Sequence, residues 1–106
     1  MTNNTQSSPL VGLTVLDFSR VIAGPFLTQI LGDLGALIIK VEAPGVGDDM
    51  RHYRPPGWKK DAPGFVGLNR NKKSIEIDIT TEAGQNVCRA LAEKADILVE
   101  NFRPDV

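Results

Sequence analysis

The densest patch of chemistry-bearing side chains in these 106 residues is Asn69-Arg70-Asn71-Lys72-Lys73-Ser74, which groups three cations with two amides and a hydroxyl. Guanidinium and ammonium groups both bind phosphate oxygens well. Short charge runs are also common as solvated turns, so charge alone leaves a phosphate site and an exposed turn equally open. A second candidate is Glu42, an acid that follows a strand, turn, helix and strand at about the place where a dinucleotide-binding domain contacts ribose. The glycines argue against that reading. The first turn holds only Gly24, while Gly45-Val46-Gly47-Asp48-Asp49-Met50 follows the second strand, lacks a third glycine and opens no clear helix. Asp48, Asp49 and His52 imitate a metal cluster, but without spaced partner ligands they read as solvated polar groups, and no metal is expected. Cys88 is the one cysteine; it has no nucleophile partner set and is expected to pack in its helix as a small apolar residue.

These residues must be positioned by a small number of elements. Val15, Leu16 and Phe18 make a short β-favouring run over 14–18 that breaks into Ser19-Arg20-Val21-Ile22-Ala23-Gly24-Pro25. Pro25 suits a first helical turn, Phe26, Ile30, Leu31 and Leu34 recur at helical spacing, and Gly35 supplies a C-cap, which predicts a short amphipathic helix. Leu37-Ile38-Ile39-Lys40-Val41-Glu42 is dense enough in β-formers to be a strand buried on both faces. Residues 43–68 are rich in proline and glycine and are expected to form a long, ordered, functional loop docked by Tyr53, Trp58 and Phe65. Ser74-Ile75-Glu76-Ile77-Asp78-Ile79 alternates with period two and predicts a third strand. Thr80, Thr81 and Glu82 then open a helix to about Lys94, with Val87, Ala90 and Leu91 on its buried face, and Ile97-Leu98-Val99 is a fourth strand.

Two strand–helix–strand units give an α/β fold with a mostly parallel sheet. Two helices for four strands are few for such a sheet, so the sequence reads as part of a larger domain, with 1–8 a disordered tail and 9–106 the structured part. Twelve Lys and Arg against 13 Asp and Glu leave a net charge of -1, which supplies no general field for nucleic acid or an anionic membrane. The longest strongly apolar run, Ala36 to Ile39, is far short of the roughly 20 residues of a membrane span. A polar start without a signal peptide and a lone cysteine set a soluble, reducing, cytoplasmic expectation.

Several ordered segments together resemble the N-terminal part of the class III CoA-transferases (the CaiB/BaiF type, which includes formyl-CoA transferase). They are Pro9-Leu10-Val11-Gly12, 15–25 (Val-Leu-Asp-Phe-Ser-Arg-Val-Ile-Ala-Gly-Pro), Leu31-Gly32-Asp33-Leu34-Gly35-Ala36, Ile39-Lys40-Val41-Glu42, Asn69 to Ile75 and Val99-Glu100-Asn101-Phe102-Arg103-Pro104. The resemblance implies a Rossmann-like large domain, an interlocked homodimer, and transfer of CoA from an acyl-CoA to a carboxylic acid through an aspartyl-CoA intermediate. It places the nucleophilic aspartate beyond Val106, so Asp17, Asp33, Asp78 and Asp96 are not candidates and Asp17 is structural. The related acyl-CoA racemases are an alternative, disfavoured by the long loop before Asn69 and by Glu100-Asn101-Phe102. A chain that only binds CoA or a nucleotide, inactive by itself, is another.

What the resemblance assigns to this segment is part of a coenzyme A site: Arg20, Ala23, Lys72, Lys73, Ile77, Asp78, Ile79, Thr80, Asn101, Phe102 and Arg103. Arg20 and Arg103 are suited to phosphate, the backbone around Ala23 and 77–80 to the nucleotide, and Asn101 and Phe102 to the pantetheine path. Lys72 and Lys73 serve as direct contacts or as general electrostatics. In one departure, some members carry arginine where this chain has Ala43.

Overall fold

The computed structural model describes residues 8–106; apart from Ser8, the tail expected over 1–8 lies outside the described residues. Four strands form one sheet in the order β3-β2-β1-β4, and every neighbouring pair is parallel. They are β1 (Thr14–Asp17), β2 (Leu37–Glu42), β3 (Lys72–Glu76) and β4 (Ile97–Val99). The helices are α1 (Ala23–Asp33), α2 (Pro63–Asn69) and α3 (Glu82–Lys94), with a 3-10 turn at Asp49–His52. After β3 the chain crosses back over the sheet through α3, so that β4 lies on the far side of β1. The direction of winding reverses between β1 and β4, where open α/β sheets leave a crevice at their carboxyl ends.

Strand alternation sorts the core into two clusters. Val15, Ala36 and Ile38 are buried on the α1 face with Leu31 and Ile97 against them, while Leu16, Val41 and Ile77 are buried on the other with Cys88, Leu91 and Ala92 of α3. The face shared with α1 changes character along the strands. Its amino ends are apolar, but its carboxyl ends carry the buried Asp17, Lys40 and Glu42. Such groups persist in an interior only when paired and hydrogen-bonded.

That polarity turns α1 over relative to the expected amphipathic helix. Gly24, Pro25, Thr28 and Gln29 face inward, because the carboxyl end of the sheet needs close backbone and hydroxyl partners there. Phe26 (53 %), Ile30 (41 %) and Leu34 (41 %) remain exposed. The expected loop over 43–68 contains the 3-10 turn and α2, which starts with Pro63 in its first turn, where a missing N–H costs nothing; Gly64 and Gly67 conceal the helix from periodicity. Of the three aromatics expected to dock this segment, Phe65 is buried, whereas Tyr53 and Trp58 are exposed.

The third strand also begins earlier than its alternation suggests. β3 pairs only with β2, from Ile38 opposite Lys72 to Glu42 opposite Glu76. Its ladder therefore stops where β2 stops, apart from one bond from the Ile77 N–H to the Glu42 carbonyl at 3.0 Å. On α3, Cys88, Leu91 and Ala92 meet the core, displacing the expected Val87 and Ala90, which are exposed. Among the described residues no helix is long and apolar enough to cross a membrane.

The turn from β3 into α3 is held by side chains. Asp78 Oδ1 accepts from the Thr80 N–H at 3.0 Å and the Thr80 hydroxyl at 2.6 Å, and the Thr81 hydroxyl caps α3 by accepting from the Gly84 N–H at 3.0 Å. A Cβ on Gly84 would lie 1.8 Å from the Asp78 carbonyl oxygen. Helix propensity alone would make Gly84→Ala stabilising by up to about 1 kcal/mol. The backbone overlap outweighs it, and the variant is expected to lose about 1–3 kcal/mol, read as a lower urea midpoint at unchanged m-value.

Candidate functional site

At the carboxyl ends of the strands lies a cleft of about 240 Å³. Phe18 and Arg20 enter it after β1, Ala43 and Pro44 after β2, Ile77, Asp78, Ile79 and Thr80 after β3, and Phe102 after β4. Arg20 is the one cation in this lining, and its guanidinium carbon lies 5.9 Å from the centroid of the Phe102 ring. The Phe18 and Phe102 rings meet with centroids 6.4 Å apart. An apolar wall beside one arginine and the backbone of Asp78 and Ile79 can hold an elongated ligand that carries phosphate at one end.

Asn101 stands behind Arg20. Its Oδ1 accepts from the Arg20 N–H at 3.0 Å, and its Nδ2 donates to the Arg20 carbonyl at 2.9 Å. This reciprocal pair fastens the turn after β1 to the segment after β4 and leaves the Arg20 side chain facing the cleft.

Beneath the cleft, on the α1 side, lies a buried charge cluster. Asp17 accepts from the Ser19 N–H at 2.8 Å, the Ser19 hydroxyl and the Thr28 hydroxyl at 2.6 Å. The Lys72 ammonium lies 3.6 Å from Asp17 Oδ2 and donates to the Pro25 carbonyl at 2.9 Å and to Asn69 Oδ1 at 2.8 Å. Burial pulls Lys72 down from 10.5 to about 8, and the Asp17 carboxylate opposes that fall. Lys40 donates to Asp48 Oδ2 at 2.8 Å and to the Ser19 carbonyl at 3.1 Å.

Next to it, Arg51 holds Glu42 through Nε at 2.8 Å and Nη2 at 2.7 Å and also reaches Asp61 at 2.8 Å. The Arg51 guanidinium lies 3.9 Å from the Phe65 centroid. Burial pushes the Glu42 carboxyl up, but hydrogen bonds from Arg51, Ser74 and the Asp48 backbone together hold it at about 2. The bonds to Glu42 raise Arg51 above its ordinary value against the opposing effect of burial.

Of the residues predicted from sequence, Arg20, Ile77, Asp78, Ile79, Thr80 and Phe102 converge on the cleft, and Asn101 supports it. Ala23 is exposed in the first turn of α1 and does not line it. Lys73 is exposed on β3, and the Arg103 side chain is 83 % exposed with Nε 3.8 Å from Asp105. The basic cluster divides. The Lys72 side chain is only 2 % exposed and engaged inward, while Arg70 pairs with Asp33 at 2.7 Å.

Asp48, read from sequence as a solvated loop residue, is instead wholly buried, because the loop after β2 folds back to meet Lys40. Phe18, Val41, Pro44 and Val106 line the cleft without having been anticipated, and Glu42, weighed from sequence only as a ribose contact, lines it as well. One signal for the charge cluster was present: a strand expected to be buried on both faces contains Lys40 and Glu42, which must then find partners inside. Among the described residues, no group of three or more His, Cys, Asp or Glu could hold a metal ion. Cys88 packs against the Leu16–Val41–Ile77 cluster, and burial raises its thiol pKa.

The profile of CoA-transferase family III matches residues 10–106. The chain belongs to that family. It is 49 % identical over 96 residues to succinyl-CoA:glutarate CoA-transferase of Mus musculus, covering 91 % of this chain and 22 % of that protein. It is 50 % identical over 98 residues to a formyl-CoA:oxalate CoA-transferase of Escherichia coli, covering 92 % of this chain and 24 % of that one. A crystal structure of a CaiB/BaiF family protein from Brucella suis superposes with a TM-score of 0.83 at 44 % identity, covering 90 % of this chain and 26 % of that one. This family III chain thus spans about a quarter of the length of these relatives.

The Glu42 shift fixes a pH dependence. A carboxyl held at about 2 in the folded state, against an ordinary 4.5, stabilises the fold fully above its unfolded pKa and loses that contribution as pH falls towards 2. The loss is about 3 kcal/mol. Urea unfolding at stepped pH is expected to show this acid limb in the native protein and a shallower one in Glu42→Gln.

Proposed function

We propose that the intact protein is a CoA-transferase that moves CoA from an acyl-CoA donor to a carboxylic acid acceptor, and that these residues supply part of its CoA site. The observation that carries this reading is the cleft at the carboxyl ends of all four strands, where Arg20, the 77–80 turn and Phe102 meet. In it Arg20 takes a phosphate, the Asp78 and Ile79 backbone takes the nucleotide, and Phe102 lies beside the pantetheine arm. Arg103, Lys73 and the backbone at Ala23 contribute from outside the cleft, and Lys72 acts through the fold. Two relatives named as CoA-transferases, at 49 % and 50 % identity, favour transfer over racemisation.

The nucleophile in this reading comes from outside these 106 residues. Asp17 and Asp48 are buried against lysines, and Asp33 is tied to Arg70, so none of these is free to attack a thioester. An aspartate carboxylate elsewhere in the protein attacks the acyl-CoA carbonyl, expels CoA thiolate and leaves a mixed anhydride. The thiolate then attacks the aspartyl carbonyl and releases the acyl group as its carboxylate. Aspartyl-CoA remains, and the acceptor acid repeats the two steps in reverse order. A cytoplasmic homodimer is part of the same proposal.

Calorimetric titration of the intact protein with CoA is expected to give saturable binding, weakened about tenfold by Arg20→Ala through loss of a charge-assisted contact, with no comparable binding of NAD. Hydroxylamine is expected to trap the acylated aspartate during turnover. Exchange of the substrate α-proton without that adduct would instead identify a racemase.

A further inference from the structure

The turn that presents Arg20 is held to an unusual degree. The Ser19 N–H donates to Asp17, the Ser19 carbonyl accepts from Lys40, and the Arg20 N–H and carbonyl are both taken by Asn101. The Val21 N–H donates to both carboxylate oxygens of Asp48, at 3.1 and 3.3 Å. Side chains from β1, β2, the loop after β2 and the segment after β4 therefore fix every backbone polar group from the Ser19 N–H to the Val21 N–H. The turn is also strained. Val21 has φ +72°, a left-handed conformation that a β-branched residue adopts only when its surroundings impose it.

Among these partners Asp48 is the one that grips the strained residue. It lies far along the chain from Val21 and is itself located by three contacts. Its N–H donates to Glu42 Oε1 at 2.8 Å, its Oδ2 accepts from the buried Lys40, and its Oδ1 accepts from the Met50 N–H at 2.9 Å. The geometry points to Asp48 as a positioning residue that touches no ligand: its carboxylate holds Val21 left-handed and so sets Arg20 against Phe102 in the cleft. The assignment rests on the reading of that cleft as a CoA site. Lys40 supports it by neutralising Asp48 and by holding the Ser19 carbonyl on the other side of Arg20.

The test is a double-mutant cycle on CoA affinity in the intact protein. Arg20→Ala and Asp48→Ala are each expected to weaken CoA binding about tenfold, and the double variant by about tenfold again in total, not a hundredfold, because both remove the same contact. Asp48→Asn leaves one oxygen where the carboxylate uses two to accept from the Val21 N–H, the Met50 N–H and the Lys40 ammonium, so it loosens the same grip and carries the same cycle if the alanine variant does not fold. Adding Val21→Gly to Asp48→Asn, which removes the Cβ that makes the turn costly, is expected to return affinity to within about twofold of the native protein. A merely structural role would lower thermal stability without this non-additivity or rescue. Additive losses, or native affinity in a folded Asp48 variant while Arg20→Ala binds weakly, would overturn the positioning role alone. Native affinity in Arg20→Ala would overturn the CoA reading of the cleft and the positioning role with it.

Discussion

Four charged groups buried at one end of a small parallel sheet set the terms for everything above them. Asp17, Lys40, Glu42 and Asp48 are almost entirely shielded from water, and the Lys72 side chain reaches into the same layer. Leaving any one unpaired would cost several kcal/mol, a large fraction of the stability of a domain this size. The chain resolves the constraint by bringing each charge an opposite partner and filling the remaining lone pairs with backbone amides and hydroxyls. The inward face of α1, the return of the loop after β2 and the early start of β3 all follow from that need.

The cleft is built on this layer and shares only Glu42 with it. Asp17, Lys40 and Asp48 spend their hydrogen bonds on the turn after β1 and on α1, not on open space. Arg20 is therefore the cation left facing the cleft, and its backbone is clamped while its side chain is not. The apolar part comes from the other face of the sheet, where Phe18, Val41 and Ile77 continue the α3-side core to the rim. One strand end thus supplies rigidity from one face and an oily wall from the other. On the proposed reading of the cleft, such a division suits a CoA thioester, which presents charged and uncharged parts at separate places.

The strands and the longer helices were legible in sequence because local pattern and tertiary demand agree there. Val15-Leu16, Leu37 to Val41 and Ile97 to Val99 are β-rich runs whose strand character needs no distant partner to explain. Legibility failed where a long-range pairing overrode local preference. Phe26, Ile30 and Leu34 look like a core-facing stripe, yet α1 turns Thr28 inward to meet the buried Asp17. Lys72 looks like an exposed phosphate ligand until its distance from Asp17 is known, and Asp48 looks solvated until the loop closes on Lys40. Motif resemblance named half of the residues that line the cleft, but not Phe18, Val41, Pro44 or Val106, whose places depend on how the four strand ends lie side by side.

The same layer also bears on how the chain finds its fold. Side chains alternate across a strand, so a shift of β2 by one residue against β1 would carry Lys40 and Glu42 to the face covered by Cys88, Leu91 and Ala92 and leave Asp17 without its neighbours. An all-apolar sheet of isoleucine, leucine and valine would tolerate such a slip with only modest loss. Here a misregistered sheet is penalised as soon as it dries. The buried charges thus disfavour neighbouring registers that hydrophobic burial alone would accept.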